Sequence, residues 1–319
     1  MKNFADRLSE KIDEFQNPTV MGLDPLIEYV PLSILRKFGL DKSTDPSLKS
    51  QDRFFSLAAE AILEFNKSLI DAVKDIIPAV KPQIAYYELL GADGIKTYRE
   101  TIEYAKNNGM IVIADAKRND IGSTAAMYSA AYLGRTNTNN GSDMPAFDAD
   151  ALTINAYTGT DGVKPFIEDC EKYGKGIFIL VRTSNPSARD FQDLILDNGQ
   201  FFYEAVAEKV SLWGSGLIGE NGFSSVGAVV GATWPDQAEK LRIMMPNTFI
   251  LVPGYGAQGG TGETAAQCFD ENGKGAIVNA SRSLMLAYRK AGMSEDDFQQ
   301  AAYEEALRMR DDLNRHIFA

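Results

Sequence analysis

Eight short β-rich runs, at residues 19–23, 79–84, 110–114, 151–155, 176–181, 225–231, 248–252 and 276–279, alternate along the chain with stretches of helical periodicity such as 54–74, 95–108, 201–213, 238–245 and 284–290. Strand and helix repeated about eight times is the pattern of a (β/α)8 TIM barrel, a closed parallel sheet ringed by helices. A doubly wound open sheet is the other fold with this alternation, but no G-x-G-x-x-G follows the first strand. Residues 36–51, 135–148 and 189–199 read as insertions in a barrel spanning 1–319 as one catalytic domain, and 294–318 as a terminal helix packed on its outside.

Composition narrows the partners. A chain of 319 residues with 45% hydrophobic content is globular, and 32 basic against 44 acidic residues leave a net charge of −12. That charge argues against nucleic acid or an anionic membrane surface, so an anionic ligand has to be met by a local cluster of positive groups. The N-terminal segment is charged and amphipathic, and apolar runs such as Ile177-Phe178-Ile179-Leu180-Val181 are too short to span a bilayer, which predicts a cytoplasmic protein. Cys170 and Cys268 lie far apart with no C-x-x-C, so neither a metal site nor a disulfide framework is expected. The single histidine, His316, sits near the C-terminus, which removes Ser-His-Asp hydrolysis, H-E-x-x-H zinc chemistry and histidine acid/base catalysis. Any catalyst here works with Lys, Asp and Arg.

Barrels place function at the C-terminal ends of their strands. Those ends carry Gly22-Leu23-Asp24-Pro25, Lys81-Pro82-Gln83, Asp115-x-Lys117-x-x-Asp120, Asn155-Ala156-Tyr157, Arg182-Thr183-Ser184-Asn185, Pro253 to Gly260, and Asn279-Ala280-Ser281-Arg282. In Ile111-Val112-Ile113-Ala114-Asp115-Ala116-Lys117 an apolar strand ends in ionisable groups on alternate positions, so Asp115 and Lys117 share a face. Asp120 follows; it is either a further charged group of the site or the N-cap of a helix beginning near Ile121, with Asp115 and Lys117 an ordinary strand-end ion pair. The glycines at 254, 256, 259 and 260 let backbone N–H groups approach an anion, and Arg282 adds a permanently charged fork.

Together and in this order, these motifs resemble the orotidine 5′-phosphate decarboxylase family in its longer bacterial form, over about residues 20–283. The resemblance implies a cofactor-free, metal-free enzyme that converts orotidine 5′-monophosphate to uridine 5′-monophosphate and CO2 in pyrimidine biosynthesis. It implies a charged tetrad of Lys81, Asp115, Lys117 and Asp120, with Asp120 serving the other subunit of a homodimer. Asp24 would bind ribose hydroxyls, Ser184 the pyrimidine edge, Ile121 and Thr124 the base and ribose across the dimer interface, and Gln258 with Gly259, Ser281 and Arg282 the phosphate. Ser281 stands where shorter members carry Gly, and the loop around Ser184 is longer than theirs. The residue types suit the chemistry: alternating charges keep one another ionised, and a preorganised Lys117 ammonium can stabilise a carbanion at C6 and then protonate it. The nearest rivals, the Mg2+-dependent 3-keto-gulonate 6-phosphate decarboxylases and hexulose-phosphate synthases, share D-x-K-x-x-D but carry an acidic residue where this chain has Lys81. A Schiff-base aldolase is disfavoured because carboxylates beside Lys81 and Lys117 hold them as ammonium ions.

Overall fold

The computed structural model describes residues 2–41, 50–256 and 259–319. Its centre is a closed barrel of eight parallel strands: β1 (Thr19–Leu23), β2 (Ala79–Pro82), β3 (Ile111–Arg118), β4 (Ala151–Ile154), β5 (Gly176–Arg182), β6 (Ser224–Val230), β7 (Thr248–Val252) and β8 (Ala276–Ala280). Each strand pairs with its neighbours in sequence, and β1 closes on β8 through Thr19↔Val278 and Met21↔Ala280. The chain therefore has the (β/α)8 fold its periodicity predicts. Helix α1 (Phe4–Phe15) precedes the barrel; α2 (Gln51–Val73), α3 (Gly91–Asn107), α4 (Gly122–Tyr132), α5 (Thr160–Tyr173), α6 (Phe202–Gly214), α7 (Pro235–Met244) and α8 (Gly262–Ala266) follow successive strands. Helix α9 (Phe298–Ile317) packs on the outside, with Phe298 against Phe65 of α2 at 5.3 Å.

The differences from the sequence reading are local. Strand β3 runs on to Arg118 instead of stopping at Ala114, and β2 ends at Pro82. The expected helix at 284–290 is two short pieces, Arg282–Met285 and Ala287–Ala291, separated at Leu286. The insertion at 135–148 holds a small hairpin, Thr136–Asn137 with Asp143–Met144, and its end is pinned where Asp148 accepts from Lys106, Arg135 and Lys175. That at 189–199 includes a one-turn helix, Arg189–Gln192. Of the insertion placed at 36–51, residues 42–49 lie outside the described residues.

Inside the barrel, Val20, Ala79, Ile113, Ala151, Phe178, Phe249 and Ile277 form a dry layer. Gly227 makes room for its two aromatic rings, because a Cβ there would lie 2.6 Å from the Phe178 ring and 2.7 Å from the Phe249 carbonyl. Helix α1 closes the bottom: Phe4 meets Phe178 edge-on at 5.8 Å, and Gly176 is the residue whose missing side chain admits the Phe4 ring. Arg7 ties the helix to Asp150 at 2.8 Å, and Asp6 accepts from the backbone N–H groups of Glu220 and Asn221. Emptying the plug leaves a cavity under the barrel, so Phe4→Ala is expected to cost about 3–5 kcal/mol of stability. Chemical denaturation reads that loss, and an unchanged KM shows that the opposite, functional end is undisturbed.

Candidate active site

Above the dry layer the next inward side chains divide by chemistry. Lys81, Asp115 and Thr153 stand on one side, and Leu180, Val229 and Leu251 on the other. They floor a cavity of about 640 Å3 at the C-terminal ends of the strands, with Asp24, Ser184, Ser281 and Arg282 around its walls. The sequence singles out these strand ends, and the barrel brings them together.

At the centre is Asp115, whose Oδ2 accepts from Lys81 Nζ at 2.6 Å and whose Oδ1 accepts from Lys117 Nζ at 2.6 Å. Burial alone would raise the Asp115 carboxyl, but the two ammonium groups outweigh it and hold it well below the usual carboxylate range. Lys81 is fully enclosed, which by itself would lower its pKa; the charges of Asp115 and then Asp24 reverse the sign and keep it raised. Both lysines line the cavity but differ in exposure, with 47% of the Lys117 side chain open against 6% for Lys81. Lys117 also has φ of +46°, a left-handed conformation that a non-glycine residue keeps only where its surroundings impose it.

The remaining predicted residues divide by location. Asp24 lines the cavity and has a buried Oδ1 with no hydrogen-bond partner. Ser184 lines the cavity, and Arg282 is exposed and forms no ion pair with any of the described residues. Gly254 lines the cavity and Gly259 does not, and the N–H groups of Gly256, Gly259 and Gly260 bond to carbonyls inside their own turn. Gln258 lies outside the described residues. Asp120, Ile121 and Thr124 do not line this cavity. Asp120 Oδ1 accepts from the N–H of Ile121 at 2.8 Å, while the N-cap of α4 is Ile121 itself, so Asp120 is not the helix cap that was its alternative reading. Ile121 and, farther along α4, Met127 are 58% and 66% exposed. Asn155 accepts from the N–H of Tyr157, and neither reaches the cavity.

Three residues without a role in the sequence reading emerge. Thr153 bonds directly to Asp115, Asn279 lines the cavity and has a buried, unpartnered Oδ1, and Arg182 organises the loop that carries Ser184. Arg182 is completely buried, paired with Asp193 at 2.8 Å and stacked on Trp234 at 4.6 Å, while Trp234 Nε1 donates to the Thr183 carbonyl at 3.0 Å. A polar residue at an inward position of an apolar strand, as in Ala151-Leu152-Thr153-Ile154, was the available signal for Thr153. Arg182 gave none, since its partners lie in other segments.

The fold and the charged array at its mouth define a (β/α)8-barrel enzyme whose working groups are lysine and aspartate. Among the described residues no group of three or more His, Cys, Asp or Glu side chains could hold a metal ion, and no helix is long and apolar enough to cross a membrane. The profile of the Orotidine 5′-phosphate decarboxylase / HUMPS family matches residues 39–295. Orotidine 5′-phosphate decarboxylase of Caldicellulosiruptor bescii is 42% identical over 318 residues, 99% of this chain and 100% of the relative. That of Rhodopirellula baltica is 40% identical over 317 residues, 98% and 99% of the two chains. The solved Leishmania donovani OMP decarboxylase superposes with a TM-score of 0.71 at 27% identity, covering 99% of each chain. The chain belongs to the orotidine 5′-phosphate decarboxylase family.

The array makes a stability prediction. Asp115→Asn strands a buried lysine and is expected to cost about 3–5 kcal/mol at pH 7. Lys117→Ala removes a half-exposed partner and is expected to cost no more than about 1 kcal/mol. Because the folded carboxyl lies below its unfolded value, its contribution is present above about pH 4 and is lost as pH falls through the folded pKa. Denaturant titrations at pH 7 and pH 3 should therefore show the difference between wild type and Asp115→Asn narrowing in acid.

Proposed function

We infer that this chain decarboxylates orotidine 5′-monophosphate to uridine 5′-monophosphate and CO2. The observation that carries this reading is the Lys81–Asp115–Lys117 array, two lysines 2.6 Å from one buried carboxylate at the mouth of the barrel. Family membership alone leaves the HUMPS branch open, and Lys81 argues against it: an ammonium ion fixed on Asp115 repels a divalent metal from the only carboxylate of the array. The relatives at 37–42% identity bear the decarboxylase name.

In this reading the C6–carboxylate bond breaks, its electron pair stays on C6, and CO2 departs toward the apolar half of the floor at Leu180, Val229 and Leu251. The carbanion forms beside the Lys117 ammonium, which stabilises it electrostatically and transfers a proton to C6. The exposure of Lys117 lets it regain that proton from solvent. Asp115 repels the substrate carboxylate more than it does the transition state. Arg282 holds the phosphate with Ser281 and Gln258, and Asp24 and Ser184 fix the ribose and the pyrimidine edge, so binding energy far from C6 positions the base. No metal or organic cofactor is part of the scheme. Asp120, with Ile121 and Thr124, serves the site of a second copy of the chain; support comes from its absence from the lining of its own cavity and from the exposed apolar Ile121 next to it.

Loss of orotate absorbance tests the reaction, and it should survive exhaustive dialysis against a chelator. Lys117→Ala should abolish turnover while uridine monophosphate binding persists, because the lysine acts on charge that develops only in the transition state. Arg282→Ala should raise KM far more than it lowers kcat. Turnover in Lys117→Ala, or an unchanged KM in Arg282→Ala, removes those residues from their roles. For the shared site, inactive Lys81→Ala and Asp120→Asn chains mixed under subunit exchange should recover roughly a quarter of wild-type activity, since half the dimers are heterodimers with one intact site. No recovery despite exchange would place Asp120 in its own chain's site or outside catalysis.

A further inference from the structure

We propose that Thr153 is the residue that positions Lys117, by building the local irregularity of β3 that turns both Asp115 and Lys117 into the cavity. Pairing of β3 with β4 is regular through Ala114↔Leu152 and resumes at Arg118↔Ile154. Between these, Asp115, Ala116 and Lys117 all stand opposite Thr153, so two residues of β3 are in excess and the ladder cannot satisfy their N–H groups. The Thr153 hydroxyl takes the place of the ladder. Its oxygen accepts from the N–H of Ala116 and the N–H of Lys117, both at 3.0 Å, and its proton goes to Asp115 Oδ1 at 2.8 Å. One donor and two acceptor sites are all a hydroxyl has, and all three are used on this segment.

The geometry has two effects on the reacting lysine. Capture of the Lys117 N–H holds that residue in its left-handed conformation, which sets where its side chain leaves the backbone. Donation to Oδ1 fixes the plane of the Asp115 carboxylate, and the same Oδ1 is the atom that binds Lys117 Nζ while Oδ2 binds Lys81. Thr153 is 1% exposed, so water does not compete for these bonds. Thr153 thus positions the proton donor from both ends, at its backbone and at its ammonium group, without itself acting on the substrate. Valine has the shape of threonine but offers none of the three bonds; serine offers all of them.

The inference rests on the decarboxylase reading, and wild-type turnover establishes that reading before any variant is compared. In Thr153→Val, kcat is expected to fall about a hundredfold, the scale of a misplaced reacting group. KM and the Kd for uridine monophosphate should stay within about threefold, because the ligand-holding groups lie elsewhere. Thr153→Ser should restore kcat to within about fivefold of wild type. A folded valine variant with wild-type kcat, or a serine variant as impaired as valine, overturns the proposal. So does a fall confined to KM. Should valine fail to fold by circular dichroism, the serine variant decides: near-normal kcat supports the hydroxyl, and a loss of more than about twentyfold refutes it.

Discussion

A single carboxylate, that of Asp115, governs the functional end of this barrel. Buried as it is, it could not remain ionised alone; the charge is sustained by Lys81 from the neighbouring strand and Lys117 from its own. The converse also holds, since Lys81 is enclosed and stays charged only because Asp115 and Asp24 are near. Asp115 and Lys81 thus hold each other in the charged form, and Lys117 takes the second oxygen of the same carboxylate. The apolar half of the floor sharpens this by keeping water from the opposite side. Everything the family chemistry requires of the site, a fixed positive charge at one point and a fixed negative charge beside it, follows from that mutual dependence.

Much of this was legible in the sequence because barrel topology converts linear order into spatial convergence. Once alternation of strands and helices specifies a closed parallel barrel, each strand's C-terminal residues must meet at one mouth, which is why Asp24, Lys81, Asp115, Lys117, Ser184, Ser281 and Arg282 come together from separate segments. What the sequence withheld is geometry that departs from the regular repeat. Alternation alone puts Asp115 and Lys117 on one face of an even strand; the strand is uneven there, and its irregularity involves a threonine on another strand. The glycine-rich turn is a second place where spacing leaves the geometry open. Glycine content signals backbone freedom, and here that freedom is used in hydrogen bonds within the turn, while Arg282 stands at the cavity wall with no ion pair to any described residue.

Family profile and chemistry constrain the function from different directions. The profile spans two reaction classes, and the identity to decarboxylases over nearly the whole chain points to one. Lys81 adds a reason that does not depend on likeness. A cation locked onto the carboxylate and a Mg2+ ion on the same carboxylate are mutually exclusive occupants, so Lys81 on β2 sets this carboxylate apart from one built to hold a metal.

The closure of β1 on β8 has a consequence for how the molecule comes into being. Thr19 must find Val278, and until it does both edge strands expose unpaired backbone groups. A partner so far along the chain makes the ring a high-contact-order object, whose folding is slow because the entropy of a long loop is lost before the closing contacts form. A chain emerging from the ribosome cannot complete its barrel until nearly all of it has been synthesised. The first strand waits through that interval as an aggregation-prone edge, and a barrel lacking only its last strand has no closed core to fall back on.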